Sequence, residues 1–257
     1  MLDLKKKVDI LEKEELTVRN CPACNSYVSH VYFMEDKGSR KKSRWYSCSC
    51  GVVFQSKLPE GKYDQAYYDK CELGPKKRDE FEYPIRLYAP IIEELIYGRR
   101  VLILGAPNHY QHDAFAERGW VPTTIDKNSR YANSNDFIAS DFETYQFPES
   151  QKFNLIWIYQ TIECLSNPID SLALCAKLLV EDGVVFIATP DTDFINTRSS
   201  SCFINWKHDY HHIMWNRRSL SRQLDKLGFN VIMSRQNYEH RFPHWDDLHI
   251  LAQKKFF

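Results

Sequence analysis

The chain has 257 residues, 34 Lys and Arg against 34 Asp and Glu, a formal net charge of zero and 43% hydrophobic residues. That length suits one α/β domain of ordinary size plus a small appendage, and the balanced charge supplies no global field to attract nucleic acid or an anionic membrane. No apolar run approaches the roughly 20 residues of a membrane span, and residues 1–16 are charged throughout rather than signal-like, so the expectation is a soluble, cytoplasmic protein.

In chain order, the first features are Cys21-Pro22-Ala23-Cys24 and Cys48-Ser49-Cys50-Gly51. Four thiolates in two turns suit a tetrahedral structural zinc held by Cys21, Cys24, Cys48 and Cys50. The second knuckle is irregular, with only Ser49 between its cysteines; a reduced set of structural cysteines, or a ribbon without its metal, are the other readings. The basic run 37–44 lies between apolar segments at 28–34 and 45–46 and reads as a solvated hairpin tip, with contact to a phosphate-bearing ligand or RNA as the lesser alternative. A strand over 51–54, a Tyr-rich helix over 63–68 and a linker over 71–79, with Gly74 and Pro75, follow. Cys71, Cys164, Cys175 and Cys202 are scattered and read as small hydrophobes rather than disulfide partners. These signals divide the chain into a ribbon segment, 1–70, a linker, 71–80, and a larger domain, 81–257.

Ile85, Tyr88, Ala89, Ile92 and Leu95 recur at helical spacing over 83–97, with Pro90 kinking or dividing the helix. Strands are expected at 99–104, 121–125 and, weakly, 137–139, with a helix over 111–118 between the first two. Leu155 to Ile158 and Val184 to Ala188 are continuous apolar runs, as in strands covered on both faces of a parallel sheet. Leu172, Cys175, Ala176 and Leu179 give the crossover helix between them, stopped by Asp182-Gly183. A helix over 219–227 and an antiparallel pair at 230–233 and 249–252 complete the pattern. The expected fold is α/β, a Rossmann-like seven-stranded sheet with helices on both faces, preceded by a small zinc-ribbon subdomain.

Residue by residue, the chain resembles class I S-adenosylmethionine-dependent methyltransferases, in the branch carrying a zinc ribbon ahead of the catalytic domain. The resemblance rests on Phe153-Asn154-Leu155-Ile156, Glu163-Cys164-Leu165, Leu179 to Gly183 and Thr189-Pro190-Asp191, then His211-His212, Ser219-Leu220 and Gly228-Phe229. Gly51-Val52-Val53-Phe54 and the tyrosines at 63, 67 and 68 are similar to the strand and helix that follow the family's ribbon. Two departures stand out: the family His of a Glu-His-Leu triplet is Cys164, and the glycine-rich turn keeps Gly105 while its acidic position is Ile103 and its later glycines are Pro107 and His109.

The resemblance implies S-adenosylmethionine as cofactor. It places Gly105 and Ala106 at the turn after the first strand, Asp126 on the ribose hydroxyls, and Asp141 and Phe142 around the adenine. Asp126 and Asp141 also read as turn residues. Tyr159 and Gln160 end a strand at the carboxyl edge, where ligands of open α/β sheets bind. Candidates for chemistry are Glu163, His208, His211 and His212. His212, matching the family's His in that loop, is the expected general base, and Glu163 stands with it as catalytic; His208, Asp209 and His211 read as a polar loop network over Trp206 and Trp215, with metal binding by the histidine cluster and Asp209 as the other reading. Two functions follow: methyl transfer to a small molecule of sugar or nucleotide-sugar type, or a catalytically silent relative that serves as a binding scaffold for a protein partner.

Overall fold

The computed structural model describes residues 20–28, 30–35, 42–55, 63–71, 74–131, 133–134, 136–193, 209–236 and 247–255. The expectations for Cys202, Trp206 and His208, and the tip of the basic hairpin, lie outside these residues.

The chain begins with strands β1 (His30–Glu35), β2 (Lys42–Ser47) and β3 (Val53–Gln55), then helices α1 (Gln65–Cys71) and α2 (Gly74–Leu95). Next come β4 (Arg100–Leu104), α3 (Tyr110–Glu117), β5 (Val121–Asp126), β6 (Phe137–Ala139), β7 (Phe153–Tyr159), α4 (Pro168–Leu178) and β8 (Leu179–Pro190). The last elements are β9 (Ile213–Met214), α5 (Arg217–Lys226), β10 (Phe229–Gln236) and β11 (Asp247–Lys254). The large sheet has seven strands in the order β10-β11-β8-β7-β4-β5-β6. Strands β8, β7, β4, β5 and β6 are mutually parallel, and β11 and β10 add antiparallel at one edge.

Continuous apolar runs make this sheet because both its faces are covered. On one face α2 and α3 bury Ile85, Tyr88, Ile92 and Phe115 against Val101, Ile103, Trp157 and Phe186, with the Trp157 and Phe186 rings stacked 3.9 Å apart. On the other, Leu172, Cys175 and Leu178 of α4 and Leu220 and Leu224 of α5 pack on Leu102, Ile156, Val185 and Ile250. This second core continues into Cys21, Tyr46, Val52 and Phe54. The N-terminal segment is thus packed onto the sheet domain, and β9 pairs with β3 to complete a four-stranded sheet, β1-β2-β3-β9. Gln223 Nε2 of α5 donates to Ala23 O at 2.9 Å in a buried contact and Thr192 Oγ1 to Gly51 O at 3.1 Å in a half-buried one, tying the two parts by polar contacts as well.

Several boundaries differ from expectation. The linker expected over 71–79 is already helix from Gly74, and α2 runs unbroken through Pro84 and Pro90. Each proline removes one intrahelical donor, but the buried face at Ile85, Tyr88, Ala89 and Ile92 outweighs two missing bonds. The crossover helix ends at Leu178 and Leu179 is already strand; Asp182, expected to stop the helix, lies instead within β8 at φ +63°, its carbonyl accepting from Gln253 Nε2 of β11 at 3.1 Å. Lys42 to Arg44 belong to β2 rather than to a hairpin tip.

Candidate functional site

Strands β4, β5, β6 and β7 end at one edge of the sheet, and a narrow cleft of about 90 Å³ opens there, small beside the 300–1,000 Å³ or so usual for small-molecule sites. Gly105, Asp126, Asp141, Phe142 and Gln160 line it, as do Tyr63, Tyr67, Tyr68, Lys127, Thr161 and Cys164. Ala106 and Tyr159, expected beside them, are buried in the core on the α2 side, where Tyr159 packs against Phe81.

The altered turn after β4 is shaped by amide side chains in place of glycines. Gly105, at φ +69°, is required by its neighbour, since a Cβ there would stand 2.4 Å from Thr161 Oγ1. Thr161 Oγ1 in turn bonds Leu104 O at 3.0 Å and Tyr159 O at 3.1 Å, joining the ends of β4 and β7. Asn128 Nδ2 donates to Pro107 O at 2.9 Å, and buried Asn108 donates to Cys71 O at 2.9 Å while its Oδ1 accepts from Tyr110 N at 3.1 Å. His109 ends at α3 with its ring 5.8 Å from both His112 and Phe137, and is outside the cleft lining.

Asp126 closes β5. Its Oδ1 accepts from Asn128 N at 2.8 Å; burial pushes its pKa above the ordinary carboxylate range, against the pull of the Asn128 N–H, the Tyr68 hydroxyl and Lys127. A carboxylate has about four acceptor positions, so these bonds leave room for ligand hydroxyls. Asp141 Oδ1 accepts from Glu143 N at 3.0 Å and its Oδ2 lies 2.8 Å from Lys127 Nζ. Glu143, unremarked in the sequence, accepts from Ser166 N at 2.9 Å and Asn167 N at 2.6 Å and so holds the start of α4. Gln160 has φ +53° without being glycine; its amide donates to Asp247 Oδ2 at 2.8 Å. A left-handed conformation costs an L-residue about 1–2 kcal/mol, and such strain collects at ligand sites.

Tyr63, Tyr67 and Tyr210 form an aromatic wall, with centroid separations of 5.1 Å for Tyr63 and Tyr67, 5.5 Å for Tyr63 and Tyr210, and 5.3 Å for Tyr67 and Tyr210. Burial, and then Cys164, push the Tyr63 hydroxyl pKa well up, so it stays a hydrogen-bond donor at neutral pH. Behind the wall, Glu163, Cys164 and His211 bring a carboxylate oxygen, a sulfur and a ring nitrogen within 4.8 Å of one another. Thr189 Oγ1 donates to Glu163 Oε2 at 2.9 Å. His212 is fully buried, and its N–H donates to Glu163 O at 2.6 Å. Gln55 fixes the same segment twice, through its Nε2 to His211 O at 2.6 Å and its N–H to His212 O at 2.9 Å. Asp209, read with His211 as part of a loop network, is half-buried.

The four N-terminal cysteines converge as their spacing suggested. Cys21 Sγ and Cys50 Sγ are 3.7 Å apart and Cys24 Sγ and Cys48 Sγ 3.4 Å, close to the roughly 3.8 Å between thiolates 2.3 Å from a tetrahedral zinc. The short second knuckle closes through Gly51, at φ +100°, whose N–H donates to Cys48 O at 2.9 Å; Asn25, at φ +59°, plays the equivalent part after Cys24. The Cys21 hydrogen bond holds Cys50 down to about 5, while the same bond and burial push Cys21 up. The donor set fits a structural zinc.

Among solved structures the chain is similar to a SAM-dependent methyltransferase from Archaeoglobus fulgidus, with 16% identity over 74% of this chain and 100% of that one, TM-score 0.57. It is also similar to the plantazolicin methyltransferase BpumL in complex with SAH, with 13% identity over 74% and 88%, TM-score 0.54, and to the glycopeptide N-methyltransferase MtfA complexed with sinefungin, with 14% identity over 69% and 87%, TM-score 0.52. At such identities these likenesses concern the fold. No curated protein gives a significant match. Among the described residues no helix is long and apolar enough to cross a membrane. A family model for the methyltransferase domain matches residues 77–234, more than half of the chain. With its seven-stranded sheet and its cleft at the strand ends, the chain belongs to this methyltransferase-domain family, of the class I S-adenosylmethionine-dependent kind.

Proposed function

We propose that the protein transfers a methyl group from S-adenosylmethionine to a small-molecule acceptor of sugar or nucleotide-sugar type. The observation that carries this reading is the cleft itself: Gly105, Asp126, Asp141 and Phe142, which the family pattern assigns to the cofactor, line one cavity although they come from three separate strand ends and loops. Asp126 would accept from the ribose hydroxyls, Phe142 and Asp141 would flank the adenine, and Gly105 with Gln160 would face the methionine portion. The complexes of BpumL with SAH and of MtfA with sinefungin support a cofactor of this class in the shared fold. When bound, the cofactor supplies an electrophilic methyl group.

The chain's own residues then align the acceptor, which is most of what in-line transfer requires. The tyrosine wall offers apolar faces and hydroxyl donors to a polyol. An acceptor hydroxyl at the Cys164 end of the cleft would give up its proton toward Glu163, whose carboxylate is buried next to that lining residue. His212, held in the core, keeps that end in register through its N–H to Glu163 O; we assign it a positioning role. The cysteine cluster is proposed to hold a structural zinc, and the ribbon to support the wall rather than to touch the acceptor.

Calorimetric titration with S-adenosylmethionine, and separately with its demethylated product, tests the reading. Micromolar binding, about 8 kcal/mol, is expected from both. Absence of heat and of thermal stabilisation at millimolar ligand would overturn it and favour the silent scaffold, for which the proline in the turn after β4 is the motive.

A further inference from the structure

We infer that Glu163, Cys164 and His211 form a second metal site, of zinc class, with an open position toward the cleft. Three donors of three kinds come from two segments, the turn after β7 and the residues leading into β9, and all lie within 4.8 Å of one another. Donors on a tetrahedral zinc stand about 3.3–3.8 Å apart, so side-chain rotations of about 1 Å complete the geometry. Thiolate and imidazole select zinc over magnesium or calcium, and three protein ligands with one open position is the pattern of reactive rather than structural zinc.

The scaffold around the three is fixed independently of any ion. Thr189 orients the carboxylate at 2.9 Å, as the hydrogen-bonded partners of metal-ligating carboxylates do. The His212 N–H to Glu163 O bond and the two Gln55 bonds to residues 211 and 212 set the register between the segments. Glu163 and His211 are 0% and 4% exposed, whereas half-buried Cys164 lines the cleft. The open position therefore lies on the Cys164 side, beside Tyr63. A carboxylate buried this deeply is stabilised by a cation, and a divalent ion there would take an acceptor oxygen as its fourth ligand. The departure of Cys164 from the family's histidine is accounted for, since a thiolate at 164 beside an imidazole at 211 makes a zinc donor pair. The metal site stands whether or not the protein transfers methyl groups; only the use of its open position rests on the function proposed above.

The experiment is metal analysis and cobalt substitution of the full chain. Zinc-replete wild type is expected to hold one equivalent more than Cys164→Ala, a change at a half-buried thiol that leaves the fold intact by circular dichroism. His211→Ala is expected to lose the same equivalent. In wild-type protein loaded with cobalt, the visible spectrum is expected to fill in two steps, a strong four-thiolate band from the ribbon and a weaker one-thiolate band that Cys164→Ala abolishes. Equal zinc in wild type and Cys164→Ala, or a single four-thiolate step in wild type, would overturn the inference. Calorimetry with S-adenosylmethionine is run separately, so failure of the metal site and failure of cofactor binding give different results.

Discussion

Asp126→Asn isolates the cofactor reading most cleanly. The carboxylate accepts from Asn128 N at 2.8 Å and from the Tyr68 hydroxyl. An asparagine of the same shape keeps one carbonyl oxygen for Asn128 but loses the charge and turns the second oxygen into a donor. Hydrogen bonds to a charged group contribute about 1.5–3 kcal/mol, so the affinity for S-adenosylmethionine should fall about 10- to 150-fold. Folding should respond in the other sense. Burial raises the folded pKa of Asp126 above its unfolded value, so between the two the native state binds more protons, and stability falls as pH rises through that window. Removing the charge relieves this penalty at neutral pH, and the ligand-free variant should melt no lower than wild type. Because protonation removes the charged acceptor, wild-type affinity should decline on acidification, starting above the ordinary carboxylate range, and the variant should show no such decline. Calorimetry across pH, with thermal melting of ligand-free protein, reads all three. An unchanged affinity in a folded variant would refute the ribose assignment. A loss of stability beyond about 2 kcal/mol, the upper range for a turn cap, would show that Asp126 is structural.

Gly105→Ala combines a left-handed conformation, about 1–2 kcal/mol, with a Cβ 2.4 Å from Thr161 Oγ1. It should therefore lower both stability and cofactor affinity, and chemical denaturation showing wild-type stability would contradict the geometry. Gln223→Ala leaves the buried carbonyl of Ala23 without its 2.9 Å donor. It should destabilise by about 1–3 kcal/mol while leaving cofactor affinity unchanged, and a two-step urea transition would show the N-terminal segment melting by itself.

The strands of the large sheet were legible because a parallel strand covered on both faces must be apolar at every position; 101–104, 155–158 and 184–188 carry that signature, and the alternation of strand and helix dictated the crossover order. The place of Asp126 and Asp141 in the cleft lining was legible because residues at the carboxyl ends of parallel strands share one edge of the sheet whatever the rest of the fold does. The cysteines were legible by spacing. The tyrosine wall was not, since Tyr63 and Tyr67 lie far from the strand ends in the chain and only docking of α1 puts them there. Nor was the turn after β4, whose missing glycines are replaced by the amides of Asn108 and Asn128, one of them reaching back to Cys71.

The histidine pair shows the limit most clearly. His211 and His212 are adjacent in an extended segment, where successive side chains point to opposite faces. The sequence points to His212 as the general base and to His211 as part of a loop network, but local pattern does not say which of two adjacent histidines faces which way. The pairing of β9 with β3, and the bonds from Gln55 and Glu163, decide it: 211 meets the Glu163 carboxylate and Cys164 thiol, and 212 is buried behind them. The sequence by itself thus determined the sheet, its ligand edge and the cysteine cluster, all of which depend on local pattern. The tertiary structure alone decided which side chains from distant segments share the cleft, because that depends on packing and register between strands.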